Sequence, residues 1–199
     1  MKAPMIAAAT ALLTVLACAA PSTAADPLVL SDIAWTATPA AGQSEARLRV
    51  RHKGSSSDVS LDSARRELAP VRATLQGDGG PVSFAVDHGA GTLSCTGKLT
   101  GPFAGKGDCR FTSDPGFETA LAERGLAPAR RSDLLAMLLV DATIELADGL
   151  IAAGVKPKGT DDLIAAAALA VTPAYVRDLQ SEAMAMTDIE DAIACKALG

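Results

Sequence analysis

Aromatic residues and histidines are scarce in this chain of 199 residues, which has one Trp, one Tyr, four Phe and two His. Basic residues do not outnumber acidic ones: 18 Lys and Arg stand against 23 Asp and Glu, for a net charge of −5. An acidic chain with so few aromatics lacks the basic, stacking surface that nucleic-acid recognition uses. The histidines, His52 and His88, fall in different segments and offer no convergent pair for a metal centre or for acid–base chemistry, so both are expected at solvent or edge positions. Serines are plentiful, but none sits in a Gly-x-Ser-x-Gly elbow, and there is no His-Glu-x-x-His, Walker loop or dinucleotide fingerprint. These absences predict a chain that is not an enzyme and takes no cofactor. No long apolar run recurs after the first 20 residues, so no later membrane span is expected.

The start of the chain has the three-part plan of a secretory signal: Lys2, an apolar run over 5–20, then small residues before Asp26. Ser22-Thr23-Ala24-Ala25 suits ordinary cleavage, giving a signal peptide over 1–25. Val15-Leu16-Ala17-Cys18 is similar to a bacterial lipobox, which would make 1–17 a lipoprotein signal and leave Cys18 lipidated, although Leu16 is a less usual residue there. Either reading predicts an exported protein, periplasmic or secreted, with membrane attachment only through a lipid on Cys18.

The stretch 26–113 reads as a mostly antiparallel β-sheet. Residues 81–87 and 93–99 alternate apolar and polar about the turn 88–91, and 108–111 close a third strand after the Gly/Pro-rich 100–107. A simple meander pairs residues summing to 179 across the first turn and to 204 across the second. Phe84 then faces Cys95, Leu93 faces Phe111, and Cys95 faces Cys109, so the large apolar side chains share one face. That register sets the two cysteines at a separation a disulfide can span, and export permits one; two buried free thiols are the alternative. Upstream, 28–38 reads as a strand, 46–53 as a strand, 54–57 as a loop and 71–75 as a short strand, while 60–68 fits strand or helix equally.

From Asp114-Pro115 the period changes from 2 to 3.6, and 114–199 repeats every 29 residues. Phe117, Leu146 and Tyr175 keep that spacing, as do Leu121, Leu150 and Leu179, and the capping residues Asp114, Thr143 and Thr172. Gly125 and Gly154 keep step, and Ala183 takes that place in the third copy. Each copy predicts two short helices, the second beginning near Ser132, Thr160 or Thr187, with Thr187 and Glu190 at capping-box spacing. Helices this short are marginal alone and need copy-on-copy stacking. The fold class expected is therefore α+β: an antiparallel sheet over 26–113 followed by an array of short paired helices over 114–199.

Over about 81–199 this order is similar to the extracytoplasmic part of bacterial regulators related to BlaR-type antirepressor metallopeptidases, and to stand-alone exported relatives of it. The residues that carry the resemblance are Gly91-Thr92-Leu93-Ser94-Cys95-Thr96-Gly97, Gly105-Lys106-Gly107-Asp108-Cys109-Arg110-Phe111-Thr112-Ser113-Asp114-Pro115, Asp161-Asp162-Leu163-Ile164-Ala165, and Val171-Thr172-Pro173-Ala174-Tyr175-Val176-Arg177-Asp178-Leu179. The cysteine pair stands where that pattern has aromatics, and the second copy lacks the Thr-Pro-x-Tyr phrase. The resemblance implies no catalysis; it implies an accessory sensing or scaffolding module of the cell envelope.

Surface candidates are few. Arg47, Arg49, Arg51 and Lys53 alternate with Leu48, Val50 and His52 and form a cationic row of about 20 Å, at ~3.3 Å per residue. Such a row suits an anionic partner, lipid headgroups or envelope polymers, or else is a solvated face or a charged edge. Asp161-Asp162 and Glu190-Asp191 read as helix-start charges, and Phe117, Leu146 and Tyr175 as core. Cys195 is left over as a buried thiol. The function expected is a non-catalytic exported interaction module with an unidentified protein or envelope partner. The alternatives are a carrier for a small hydrophobic ligand or lipid, which calls for an apolar cavity of roughly 300 Å³ between sheet and helices, and a hydrolase built around His52 or His88 beside a serine or carboxylate.

Overall fold

The computed structural model describes residues 26–40, 45–61, 64–182 and 186–198. The expected signal over 1–25, with Cys18, and Ala183 lie outside them. The fold is α+β: an all-antiparallel sheet of six strands, then helices. The strands are β1 (Val29–Thr38), β2 (Arg47–His52), β3 (Ser55–Ser60), β4 (Gly80–His88), β5 (Gly91–Gly101) and β6 (Ala104–Ser113). Their order, β3-β2-β1-β6-β5-β4, is two three-stranded meanders joined where β1 pairs with β6. Between the meanders a 3-10 turn (Arg66–Leu68) and helix α1 (Ala69–Leu75) carry the chain to the far edge.

The second meander has the register expected from the pattern: Phe84 opposite Cys95, Leu93 opposite Phe111, and Cys95 opposite Cys109. Cys95 and Cys109 are disulfide-bonded, with Cα atoms 4.0 Å apart. Two local expectations are corrected. Residues 71–75 belong to α1 and are not a strand; Pro70 stands in its first turn, and Val71 and Leu75, four apart, bury one face against β4. Residues 55–57 belong to β3 and are not a loop. The connection is only Lys53 and Gly54, whose φ values of 45° and 84° make the primed turn that joins twisted strands most tightly.

One face of the sheet is buried. Ile33, Trp35, Leu48, Val50, Phe84, Val86, Leu93, Cys95, Leu99, Cys109 and Phe111 all point into the core. The single tryptophan lies over bare backbone: a Cβ on Gly97 would come within 2.6 Å of its Cζ2, and one on Gly107 within 2.6 Å of its Nε1. The indole N–H donates to the Thr96 carbonyl at 2.9 Å, and its ring meets Phe84 edge-on at 5.2 Å.

Helices α2 (Pro115–Glu123), α4 (Ile144–Ala152) and α6 (Pro173–Ser181) begin 29 residues apart. Their caps Asp114, Thr143 and Thr172 each accept a hydrogen bond from the N–H three residues on. Alternating with them are α3 (Asp133–Val140), α5 (Thr160–Ala168) and α7 (Ile189–Leu198). The helices pack in two rows, α2 on α4 on α6 and α3 on α5 on α7. At the start of α7 it is Asp188, rather than Thr187, that caps, accepting from the Glu190 N–H at 3.0 Å. Phe117 is buried, whereas Leu146 and Tyr175 are half-buried, and the Lys196 ammonium lies 4.5 Å from the Tyr175 ring centre. Helix α3 joins the layers: it is apolar nearly all round and packs on β3, β5, β6 and α5.

Candidate functional site: a cationic trough

The other sheet face is open, and β2 presents Arg47, Arg49 and Arg51 on it. Lys53 does not belong to that row. Its left-handed backbone in the turn breaks the two-residue alternation, and the residue lines a cleft on the opposite side. Nor is β2 an edge, since β3 covers its outer side and Asp58 of β3 takes Arg49 in a two-pronged pair at 2.9 Å. That pair raises the Arg49 pKa and lowers that of Asp58, chiefly through the shared hydrogen bonds.

Cross-strand pairing extends the positive surface beyond β2. Thr36 of β1 stands between Arg49 and Lys106 of β6, and Ala34 stands between Arg51 and Asp108. Lys106 is in turn directly opposite Lys98 of β5. The small residues of β1 thus form the floor of a trough, walled by arginines on one side and lysines on the other. One part of it is a depression of about 440 Å³ lined by Ala34, Thr36, Arg51, Lys98, Lys106 and Asp108 together with Trp35, Gly97 and Gly107. A second depression of about 370 Å³ shares Thr36, Lys98 and Lys106 with it and runs on toward Ala104.

Among the described residues, Arg47, Arg51, Lys98 and Lys106 make no ion pair. Like charges placed directly opposite across a ladder repel, so the Lys98–Lys106 pair is kept at some cost to the free fold. Asp108 is the one carboxylate among the lining residues of the 440 Å³ depression. The two lysines were legible in principle, because 98 and 106 sum to 204 in the meander register. What linked them to the β2 arginines, the β1–β6 pairing, has no local signature.

The histidines are not where the sequence put them. His88 ends β4 with a side chain only 5% exposed. Its Nδ1 accepts from the Ala90 N–H at 3.0 Å, and its Nε2 lies 3.5 Å from Asp141, the left-handed cap of α3. Arg65 closes the cluster: it donates to Glu67 at 2.7 Å and to the Leu138 and Leu139 carbonyls at 2.8 and 2.9 Å, satisfying the last turn of α3. Burial pushes the His88 pKa below 6.5; Asp141 and Glu67 oppose that shift and Arg65 adds to it. Burial works against the charge on Glu67, but its backbone hydrogen bond and Arg65 outweigh it, and its pKa is lowered. Chain segments far apart in sequence build this cluster, which is why the turn-like context of His88 suggested exposure. Arg65 lines a void of about 10 Å³, room for about one water, and its bonds to the Leu138 and Leu139 carbonyls tie the 3-10 segment to α3. A larger cleft of about 360 Å³ also lies between the sheet and α3, the size a carrier calls for, but His52, Ser55, Ser57 and Asp133 make much of its lining polar.

His52 ends β2 on the face opposite the arginines, half-buried, with Nε2 buried and unbonded. The acidic pairs Asp161-Asp162 and Glu190-Asp191 lie in the first turns of α5 and α7, and among the described residues no group of His, Cys, Asp and Glu is arranged to hold a metal. Cys195 is a free, half-buried thiol on α7. No described helix is long and apolar enough to cross a membrane. No family model, curated protein or solved structure matches this chain.

Proposed function

We propose that this chain is a non-catalytic, exported interaction module of the bacterial cell envelope, in a sensing or scaffolding role, that uses its open sheet face to hold an anionic polymer. The observation that carries this reading is the facing, unpaired Lys98 and Lys106 beside Arg51 over a floor of small residues, in a chain whose net charge is −5. Repelling cations held on a rigid sheet are stabilised when a polyanion lies between them. The disulfide supports the same reading, because it fixes the β5–β6 ladder that spaces the lysines and is a bond suited to an oxidising compartment. The leader-like start and the resemblance to exported regulator modules agree with that compartment.

Co-sedimentation with polygalacturonate, with neutral dextran as the control, tests the proposal. Polygalacturonate is expected to bind in a salt-sensitive manner and dextran not at all. The Lys98→Ala/Lys106→Ala double variant should weaken binding about tenfold, which corresponds to ~1.4 kcal/mol, without loss of thermal stability. Equal binding of dextran, or unchanged binding by the double variant, would overturn it.

A further inference from the structure

The inner face of the β2–β3 hairpin turns polar at one end. Along β2 it runs Leu48, Val50, His52, and along β3 it runs Val59, Ser57, Ser55, with His52 opposite Ser55 and Val50 opposite Ser57. The apolar stripe that packs under α3 is thus replaced at the turn end, where the helix begins. Between them lies a cleft of about 360 Å³. Its base is Val50, Leu135 and Leu139, all buried. Its walls are His52, Lys53, Ser55, Ser57, Arg130, Ser132 and Asp133.

Most of these polar groups have nothing to bond within the protein. The Ser132 side chain makes no cap hydrogen bond, although it stands at the N-cap of α3. The hydroxyls of Ser55 and Ser57 and the Lys53 ammonium have no hydrogen-bond or ion partner among the described residues, and the buried His52 Nε2 has none either. Arg130 and Asp133 pair with each other at 3.1 Å, with Asp133 nearly buried and Arg130 largely exposed. The terminus of α3 is not itself the attraction, for its first N–H groups are already taken by the carbonyls of Arg130, Arg131 and Ser132.

We propose that this cleft is a second site, distinct from the trough, for a single small hydroxylated acid of the sugar-acid class. Lys53 and Arg130 supply the charge for one carboxylate. Ser55, Ser57 and Ser132 both donate and accept, and Asp133 accepts, which suits a ring carrying several hydroxyls. The apolar base takes the C–H face of such a ring. The volume is at the small end of ligand sites, roughly 300–1,000 Å³, and matches one or two sugar units rather than a polymer. His52 is the group whose bonding the ligand would complete, since a buried ring nitrogen without a partner is rare in a finished fold.

Amide chemical-shift titration of the folded protein with glucuronate tests this, with glucose and acetate as partial probes. Glucuronate should give saturable shifts confined to the β2–β3 turn and residues 130–136, with an affinity about tenfold above either partial probe. Lys53→Ala and Ser132→Ala alter exposed or half-exposed side chains and should each weaken binding roughly threefold while leaving the other amide signals in place. No saturable shift up to about 50 mM, beyond the millimolar range of weak sites, would overturn the proposal. So would equal affinity for acetate, or shifts that both variants leave unchanged. The trough is untouched by these variants, so polygalacturonate binding should persist in them and its outcome remains separate.

Discussion

Adding one methyl group at Gly107 should be among the most damaging small changes in the molecule. Gly107 of β6 faces Gly97 of β5 and Trp35 of β1 on either side. A Cβ there would lie 2.6 Å from the Gly97 Cα and 2.6 Å from the Trp35 Nε1, and would collide with the Thr96 carbonyl oxygen. Two of these three neighbours are backbone in a ladder fixed by the disulfide two residues further on, so they cannot yield separately. The indole could move, but only by giving up its hydrogen bond to the same Thr96 oxygen and its edge contact with Phe84. Overpacking of about 2 kcal/mol plus a lost hydrogen bond of ~1 kcal/mol gives a destabilisation of about 3 kcal/mol for Gly107→Ala. For a chain of this size that is a fall in Tm of about 6–12 °C.

The assay is thermal unfolding followed by intrinsic fluorescence. Trp35 is the only tryptophan and is 1% exposed, so its emission reports this contact alone. Gly107→Ala should lower Tm and shift the folded-state emission to the red. Gly101→Ala is the control: Gly101 is the last residue of β5, where an added Cβ meets nothing within 4 Å, and the change should alter stability by no more than about 0.5 kcal/mol. If Gly107→Ala unfolds with Gly101→Ala and keeps native emission, the indole does not rest on the glycine backbone and the account of the sheet's inner face is wrong.

Three further outcomes are expected. Replacing Cys95 and Cys109 together by Ala should cost about 3 kcal/mol in urea unfolding, the chain-entropy value for a loop of this size, and stability equal to that of the oxidised parent would refute it. The His88 pKa is below 6.5 in the fold, so the unfolded chain takes up the proton first; the neutral ring's contribution is complete above pH 6.5 and is lost as the pH falls through that value toward the folded pKa. His88→Gln should therefore flatten the stability profile between about pH 7 and 5, before the depressed carboxylates Glu67 and Glu118 titrate, and an unchanged slope in that window would exclude His88 as its source. Gly54→Val should cost about 1–2 kcal/mol through its left-handed φ of 84° alone, since nothing lies near its Cβ direction, and a neutral result in thermal unfolding would mean the turn is not of the primed type.

What could be read from the sequence was set by short-range periodicity, and what could not was set by distant pairing. The 179 and 204 registers were legible because the simplest meander through the turns at 88–91 and 100–107 sets them, and it puts Phe84, Leu93, Cys95, Cys109 and Phe111 on one face. The helix starts at 115, 144 and 173 were legible because Asp, Thr and Thr precede them with apolar residues three on. Residues 71–75 misled because apolar residues four apart satisfy both a period of 2 and a helix turn, and only packing against β4 decides. Strand β3 misled because its only large apolar residue is Val59; its pairing comes from the Lys53-Gly54 turn and from the alternation of β2. The trough was half legible: the arginines stand out in β2, but the lysines that complete it arrive through the β1–β6 junction. The His88 cluster was not legible at all, since Arg65, Glu67 and Asp141 reach it from separate parts of the chain.

Strand β2 explains how the cationic trough and the cleft under α3 lie on opposite faces of the sheet without disturbing one core. Its odd residues, Arg47, Arg49 and Arg51, face the trough, and its even residues, Leu48, Val50 and His52, face inward. A slip of one residue would exchange the sets and bury three guanidinium groups, so the register is held from three sides. On one side six residue pairs bind it to β1, on the other six bind it to β3, and the Lys53-Gly54 turn allows no slack between them. The same turn takes Lys53 off the trough face and delivers it to the cleft beside Arg130. A longer, looser loop would have left Lys53 free to extend the arginine row, as its place in the sequence suggests. The division of charge between the two faces therefore follows from turn geometry, and it would be lost with the turn before it was lost with any one of the charged side chains.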